Sequence, residues 1–113
     1  MVHGALAVPA GHGVERNLAE LLGAQAMTGY RLLDASRGGF ARLDAELARF
    51  ILATEAESGV PLESVYTAKA LLALRTEVEA GYFARSTRLL FLHTGGLQGR
   101  RALAGQLQAL AVS

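Results

Sequence analysis

The 113-residue sequence predicts an α/β chain around a small, mostly parallel sheet, part of a three-layer αβα arrangement. Three observations predict it. Short apolar runs alternate along the chain with longer stretches in which apolar residues recur every three or four positions. Hydrophobic residues make up 51% and charged residues 19%, the balance of a packed interior rather than a disordered chain. The length suffices for one modest core.

Taken in order, Ala5 to Val8 reads as a short buried strand, stopped by Pro9. Val14, Leu18, Leu21 and Leu22 then fall on one face of a helix. Gly23 stops that helix, although apolar residues beyond it blur the end. Tyr30 to Leu33 reads as a second strand, and Asp34 to Gly39 as a loop. Leu43, Leu47, Phe50 and Ile51 repeat the helical face, with Asp44 placed to cap its start and Gly59 to end it. Pro61 bars continuation. A third helix runs from Ser64 to about Ala80, its stripe made of Val65, Ala68, Leu71, Leu72, Leu74 and Val78. Arg88 to Leu92 reads as the clearest strand and ends at His93-Thr94-Gly95-Gly96. Leu103, Leu107 and Leu110 line a last helix. Two or three strands apolar on both faces leave open edges, so the chain reads as a piece of a larger sheet, or as one that must associate.

The net charge of +1 offers no field for nucleic acid, membrane headgroups or an acidic partner. With no cysteine there is neither a disulfide framework nor a thiolate metal site, which fits a cytoplasmic setting. MVHGALAVPAGHG lacks a basic leader, and no apolar run approaches the ~20 residues of a membrane helix. His3, His12 and His93 have no acidic residue at a metal-binding spacing, and His93 reads as a hydrogen-bonded structural residue. Lys69 reads as a solvated lysine, and Arg75, Glu77 and Glu79 as a wet helix face. Arg100 and Arg101 read as surface residues. No Ser-His-Asp set, P-loop or dinucleotide fingerprint is present.

Ligands of parallel sheets sit at the carboxyl ends of strands, beside helix N-termini. Two features fit. One is the Thr94-Gly95-Gly96 corner; the other is Val65-Tyr66-Thr67 in the first turn of the third helix, whose N–H groups and dipole favour negative charge. Alone, the first is an ordinary turn and the second ordinary packing.

Together they are more specific. GVPLESVYTAKALLALRTEVEAGYFARSTRLLFLHTGGLQGRR closely resembles the C-terminal end of the 1-aminocyclopropane-1-carboxylate deaminase / D-cysteine desulfhydrase family. Its members are pyridoxal-phosphate enzymes of the tryptophan-synthase-β-like fold. They carry a PVYTGK turn, a helix, and a strand ending in HTGG, often followed by LQG. Here these are Ser64 to Lys69 and His93 to Gly99, and Gly38 to Phe50 resembles the preceding loop and helix. The match is strong from Gly38 to Arg101 and looser over the first 37 residues.

The resemblance implies that residues 1–113 are one partial domain, the C-terminal part of a pyridoxal-phosphate-binding catalytic domain. It implies that Tyr66 is the catalytic tyrosine beside cofactor ring and substrate, and that Thr67 faces the pyridine nitrogen. Thr94, Gly95 and Gly96 would close near the ring. Family deaminases typically carry glutamate at the Thr67 position and desulfhydrase-like members threonine, so the neutral hydroxyl suits expulsion of a β-leaving group such as thiol. Phe40 stands where many members have a tyrosine, Ser64 replaces the proline of the turn, and Ala68 a glycine.

The family's cofactor-linking lysine and glycine-rich phosphate loop lie upstream of the resembling region and are not in this sequence; Lys69 belongs to the YTGK motif and does not replace that lysine. The parent activity implied is β-elimination from a small amino acid, D-cysteine to pyruvate, ammonia and sulfide, or else 1-aminocyclopropane-1-carboxylate deamination. The isolated chain is expected to be silent. The alternative is a non-catalytic α/β module, or a subunit of a split enzyme, that associates with itself or an N-terminal half through its open sheet edge.

Overall fold

The structure, a computed structural model, describes residues 2–23 and 29–112. The elements run β1 (Val2–Leu6), α1 (Val14–Leu22), β2 (Tyr30–Asp34), α2 (Ala45–Ser58), α3 (Thr67–Glu79), α4 (Leu97–Ala102) and α5 (Ala104–Ala111). The α/β alternation and the parallel sheet are as expected. β1 pairs with β2 in parallel, from Val2 opposite Tyr30 to Leu6 opposite Asp34. The Ala35 N–H extends the ladder to the Leu6 carbonyl at 3.0 Å.

A Cβ at Gly4 would lie 2.9 Å from Leu32 Cδ2, a contact that the flexible leucine tip can relieve by shifting. β1 starts three residues before the expected Ala5 and ends at Leu6, its span set by pairing to β2 rather than by its apolar run. Nor are the strands covered on both faces: Leu6 is the one buried residue of β1, and β2 is half-buried. α1 forms where expected, but none of its residues is buried, and the stretch after Gly23 lies outside the described residues.

The core is mainly helical. Leu47, Ala48, Phe50 and Ile51 of α2 pack with Leu62 of the α2–α3 loop, Ala68 and Leu72 of α3 and Leu107 of α5. α2 begins at Asp44, whose extended backbone turns its carboxylate to the Leu47 N–H at 2.8 Å. It ends at Gly59 in the left-handed region, φ 73°, with the Gly59 N–H on the Glu55 carbonyl at 2.9 Å. Among the described residues no helix is long and apolar enough to cross a membrane.

Two expectations fail in the last third. Arg88–Leu92 is not a strand here, pairing with no neighbour among the described residues. The single last helix is two, joined at Leu103, where the N–H is shared between the Gly99 and Arg100 carbonyls and the turn tightens. Arg100 there pairs with Glu55 of α2 at 2.8 Å. α3 also starts later than expected, at Thr67 rather than Ser64, after a helical turn built by a side chain that the sequence reading passed over.

Candidate functional site

The side chain that builds the tip of α3 is Glu63. It is buried; its Oε2 accepts from the Val65 N–H and its Oε1 from the N–H groups of Tyr66 and Thr67, each at 2.6 Å. A carboxylate at a helix N-terminus meets the positive end of the dipole, and three charge-assisted bonds offset its burial. This corrects the expectation that the first turn of α3 is open to an anion: the donors are already taken by the chain's own carboxylate. Glu63 performs the capping.

Glu63 also sets the state of Thr67, which is 2% exposed. Thr67 Oγ1 accepts from the Glu63 N–H at 3.0 Å, while its own proton faces the Glu63 carbonyl across a long 3.4 Å. The hydroxyl therefore keeps a proton that it can donate to a better acceptor. Tyr66, next along, is 55% exposed and touches Phe40 edge-on, with ring centroids 6.0 Å apart.

The Thr94-Gly95-Gly96 corner is pinned against the same region. His93 Nε2 donates to the Pro61 carbonyl at 2.9 Å, and Nδ1 accepts from the Gly95 N–H at 3.1 Å. Those roles require the neutral tautomer with its proton on Nε2. His93 is thus the structural residue expected. Gly96, at φ 92°, lies against Glu63 so closely that a Cβ would overlap Glu63 Cγ. Gly95, at φ 106°, would carry its Cβ into open space.

Lys69 is not solvated. It is 1% exposed, and its ammonium donates to the carbonyls of Ser36 and Gly39, each at 2.9 Å. Burial, aided by the Arg37 charge, holds the Lys69 pKa below the usual lysine value, with Asp44 and Glu63 opposing. The tethered loop is costly in itself, with Arg37 and Ala41 in the left-handed region at φ 55° and 61°. Arg37 ties its other side to Asp44, Nε to Oδ2 at 3.0 Å, and to Glu46. The tether leads through Gly39 to Phe40, and so places Phe40 beside Tyr66.

Tyr66, Thr67 and Thr94 line one open groove of about 910 Å³, walled by His3, Ala5 and Leu6 of β1 and by residues 87–92. Of the expected site residues, Tyr66, Thr67 and Thr94 line this groove, whereas Gly95 and Gly96 do not, Gly96 lying against Glu63 instead. What the sequence reading missed was Glu63 and the tether from Lys69. A carboxylate just ahead of a helix start was the available signal for Glu63; nothing local marked Lys69.

The parallel βαβ unit, with the tip of α3 and Thr94 lining one groove, is part of a tryptophan-synthase-β-like fold, as its match to a solved homologue shows. A crystal structure of a 1-aminocyclopropane-1-carboxylate deaminase homologue superposes on it with a TM-score of 0.84 and 26% sequence identity, covering 96% of this chain and 35% of that one. A protein of Pyrococcus horikoshii provisionally assigned as a 1-aminocyclopropane-1-carboxylate deaminase is 33% identical over 84 residues, 74% of this chain and 25% of its own. One of Pyrococcus abyssi with the same assignment is 35% identical over 69 residues, 61% of this chain and 20% of its own. No protein-family profile matches the chain. The chain belongs to the 1-aminocyclopropane-1-carboxylate deaminase family, as its C-terminal portion. It spans a fifth to a quarter of the length of the curated relatives it matches.

Proposed function

We propose that the chain is the C-terminal part of the catalytic domain of a pyridoxal-phosphate-dependent lyase acting on a small amino acid in the cytoplasm. The supporting observation is the groove shared by Tyr66, Thr67 and Thr94, with the Thr67 hydroxyl held to the Glu63 carbonyl only by a long 3.4 Å bond that a better acceptor would replace. The residues present suit one edge of the cofactor. Thr67 can donate to a neutral pyridine nitrogen, and Gly95 leaves room for a flat ring at the corner. They do not suit its phosphate, because Glu63 occupies the N–H groups at the tip of α3.

When bound, pyridoxal phosphate supplies an electron sink for charge at the substrate α-carbon. The contribution of this chain is orientation and proton handling. Tyr66 presents a phenol to the groove, where it can hold or pass a proton, and Thr67 orients an acceptor without charging it. Phe40 adds an apolar edge where a hydroxyl would otherwise stand. A neutral Thr67 favours β-elimination: D-cysteine and water giving pyruvate, ammonia and sulfide. Deamination of 1-aminocyclopropane-1-carboxylate to a four-carbon 2-oxo acid is the alternative chemistry.

With one wall of a site, the 113-residue chain alone is expected to be silent. Mixed with pyridoxal phosphate it should show no absorbance of bound cofactor and release no pyruvate from D-cysteine. Grafted into the P. horikoshii relative in place of the matched segment, it should support pyruvate release, and Thr67→Val should lower that rate about 10-fold or more. Turnover by the isolated chain, or a graft indifferent to Thr67, would count against the proposal. A second reading, a non-catalytic association module, is favoured by the exposed Leu89, Leu90 and Leu92. It predicts a stable self-associated form of the isolated chain and no effect of Thr67→Val in the graft.

A further inference from the structure

We propose that Lys69 is a positioning residue: by clipping the loop of residues 36–41 to α3, its buried ammonium sets the Tyr66 phenol in the groove through Phe40. The proposal rests on the functional reading above and deepens it. Lys69 is 1% exposed and forms no ion pair among the described residues. An ammonium taken out of water is costly unless its protons find acceptors, and a leucine or methionine would fill the same space without that cost. What this ammonium holds is specific. It donates at 2.9 Å to the carbonyls of Ser36 and Gly39, and the same two carbonyls close the two turns of the loop. The Ser36 carbonyl accepts from the Gly39 N–H and the Gly39 carbonyl from the Arg42 N–H, each across a long 3.3 Å.

Those long bonds work against an unfavourable backbone. Arg37 and Ala41 are left-handed at φ 55° and 61°, where a Cβ crowds the following carbonyl oxygen. Arg37 is retained there by Asp44 and Glu46. Ala41 has only a methyl group, so the turn that contains it, residues 39–42, depends on the Arg42 bond and on Lys69. Phe40 is the second residue of that turn, and its ring meets Tyr66 edge-on at 6.0 Å. Burial fixes neither ring, at 54% and 55% exposed. Glu63 fixes the Tyr66 backbone by taking its N–H at 2.6 Å, but the Tyr66 ring touches no ring except Phe40 among the described residues. Lys69 stands three residues after Tyr66 on the same side of α3. One helix therefore carries both the clip and the phenol, and the clipped loop brings Phe40 back to that phenol.

The 113-residue sequence has no cysteine, so Lys69→Cys introduces a single thiol. Alkylating it with bromoethylamine in urea and refolding restores an ammonium at that position. Nuclear magnetic resonance reads the contact as cross-peaks between the ring protons of Phe40 and Tyr66. These should be present in the unaltered chain, lost in Lys69→Met and Lys69→Cys, and regained on aminoethylation, with the signals of Leu47 and Ile51 in place throughout. In the graft into the P. horikoshii relative, Lys69→Met should lower kcat for D-cysteine about 10-fold with KM little changed. Combined with Tyr66→Phe it should lower kcat no further, because the phenol it positions is gone. A weakened core would lower the rate in both backgrounds, and equal losses would overturn the inference. So would a ring contact that is absent from the unaltered chain, that survives Lys69→Met, or that aminoethylation does not restore, and so would unfolding of both variants. The ring contact needs no pyridoxal phosphate. A graft that never turns over therefore removes the catalytic reading and leaves the contact to decide this inference.

Discussion

Gly95 and Gly96 are adjacent and both left-handed, yet they differ in what surrounds them. At Gly95 an added methyl meets nothing, so Gly95→Ala pays only the left-handed backbone cost of about 1–2 kcal/mol. At Gly96 the same cost is joined by overlap with the buried Glu63, whose three bonds leave it little room to give. Gly96→Ala is expected to cost at least about 1 kcal/mol more than Gly95→Ala, read from urea midpoints of the two variants. Equal losses would mean that Glu63 and the corner are not in contact. Glu63 itself can be tested by what it excludes. Glu63→Ala should cost about 2–3 kcal/mol, because three helix-tip donors lose a charged acceptor. It should also create an anion site, so that sulfate raises the melting point of the variant by more than it raises that of the unaltered chain. The site residues were legible in part: Tyr66, Thr67 and the Thr-Gly-Gly corner are visible as a motif. The contact between Gly96 and Glu63 is not, since it joins positions that only the folded chain brings together.

At the scale of an element, α2 is the one whose limits the sequence states most fully, and its cap is open to a pH test. Burial works to raise the Asp44 pKa, but the Leu47 N–H and Arg37 outweigh it and hold the carboxyl below its usual 3.8. The native chain then binds fewer protons here than the unfolded chain. The stabilisation is complete above pH 3.8 and is lost as pH falls through that value toward the lower native pKa. Asp44→Ala should cost about 1–2 kcal/mol at neutral pH. In urea titrations the gap to the unaltered chain should narrow below pH 3.8; a gap that stays constant would show that the charge of Asp44 contributes nothing. α2 was legible because its signals are local, a cap and a glycine stop at helical spacing. Arg88–Leu92, expected as a strand, is not one, because an apolar run says nothing about whether a neighbour lies beside it to pair with. The Leu103 break also lacked a signal, leucine being a good helix former.

For the whole molecule, the accessible area of 7479 Å² exceeds the roughly 5,900 Å² of a compact chain of this size. The radius of gyration is 15.1 Å, against about 13 Å for a compact chain of this length. The core of α2, α3 and α5 is nevertheless well buried, with Leu47, Ala48 and Ile51 fully enclosed. A folded interior and an exposed apolar groove therefore coexist. This differs from a molten globule, which exposes apolar surface because its packing has been lost. The isolated chain should accordingly bind a hydrophobic dye such as anilinonaphthalene sulfonate at neutral pH while still melting in one cooperative transition. Leu90→Lys together with Leu92→Lys should lower the dye signal by about half without moving that transition, since both side chains are mostly in water already. Dye binding accompanied by a broad, non-cooperative melt would mean that the helical core is not formed without the rest of the family fold. In that case the geometry of Tyr66, Thr67 and Thr94 would exist only in the assembled state.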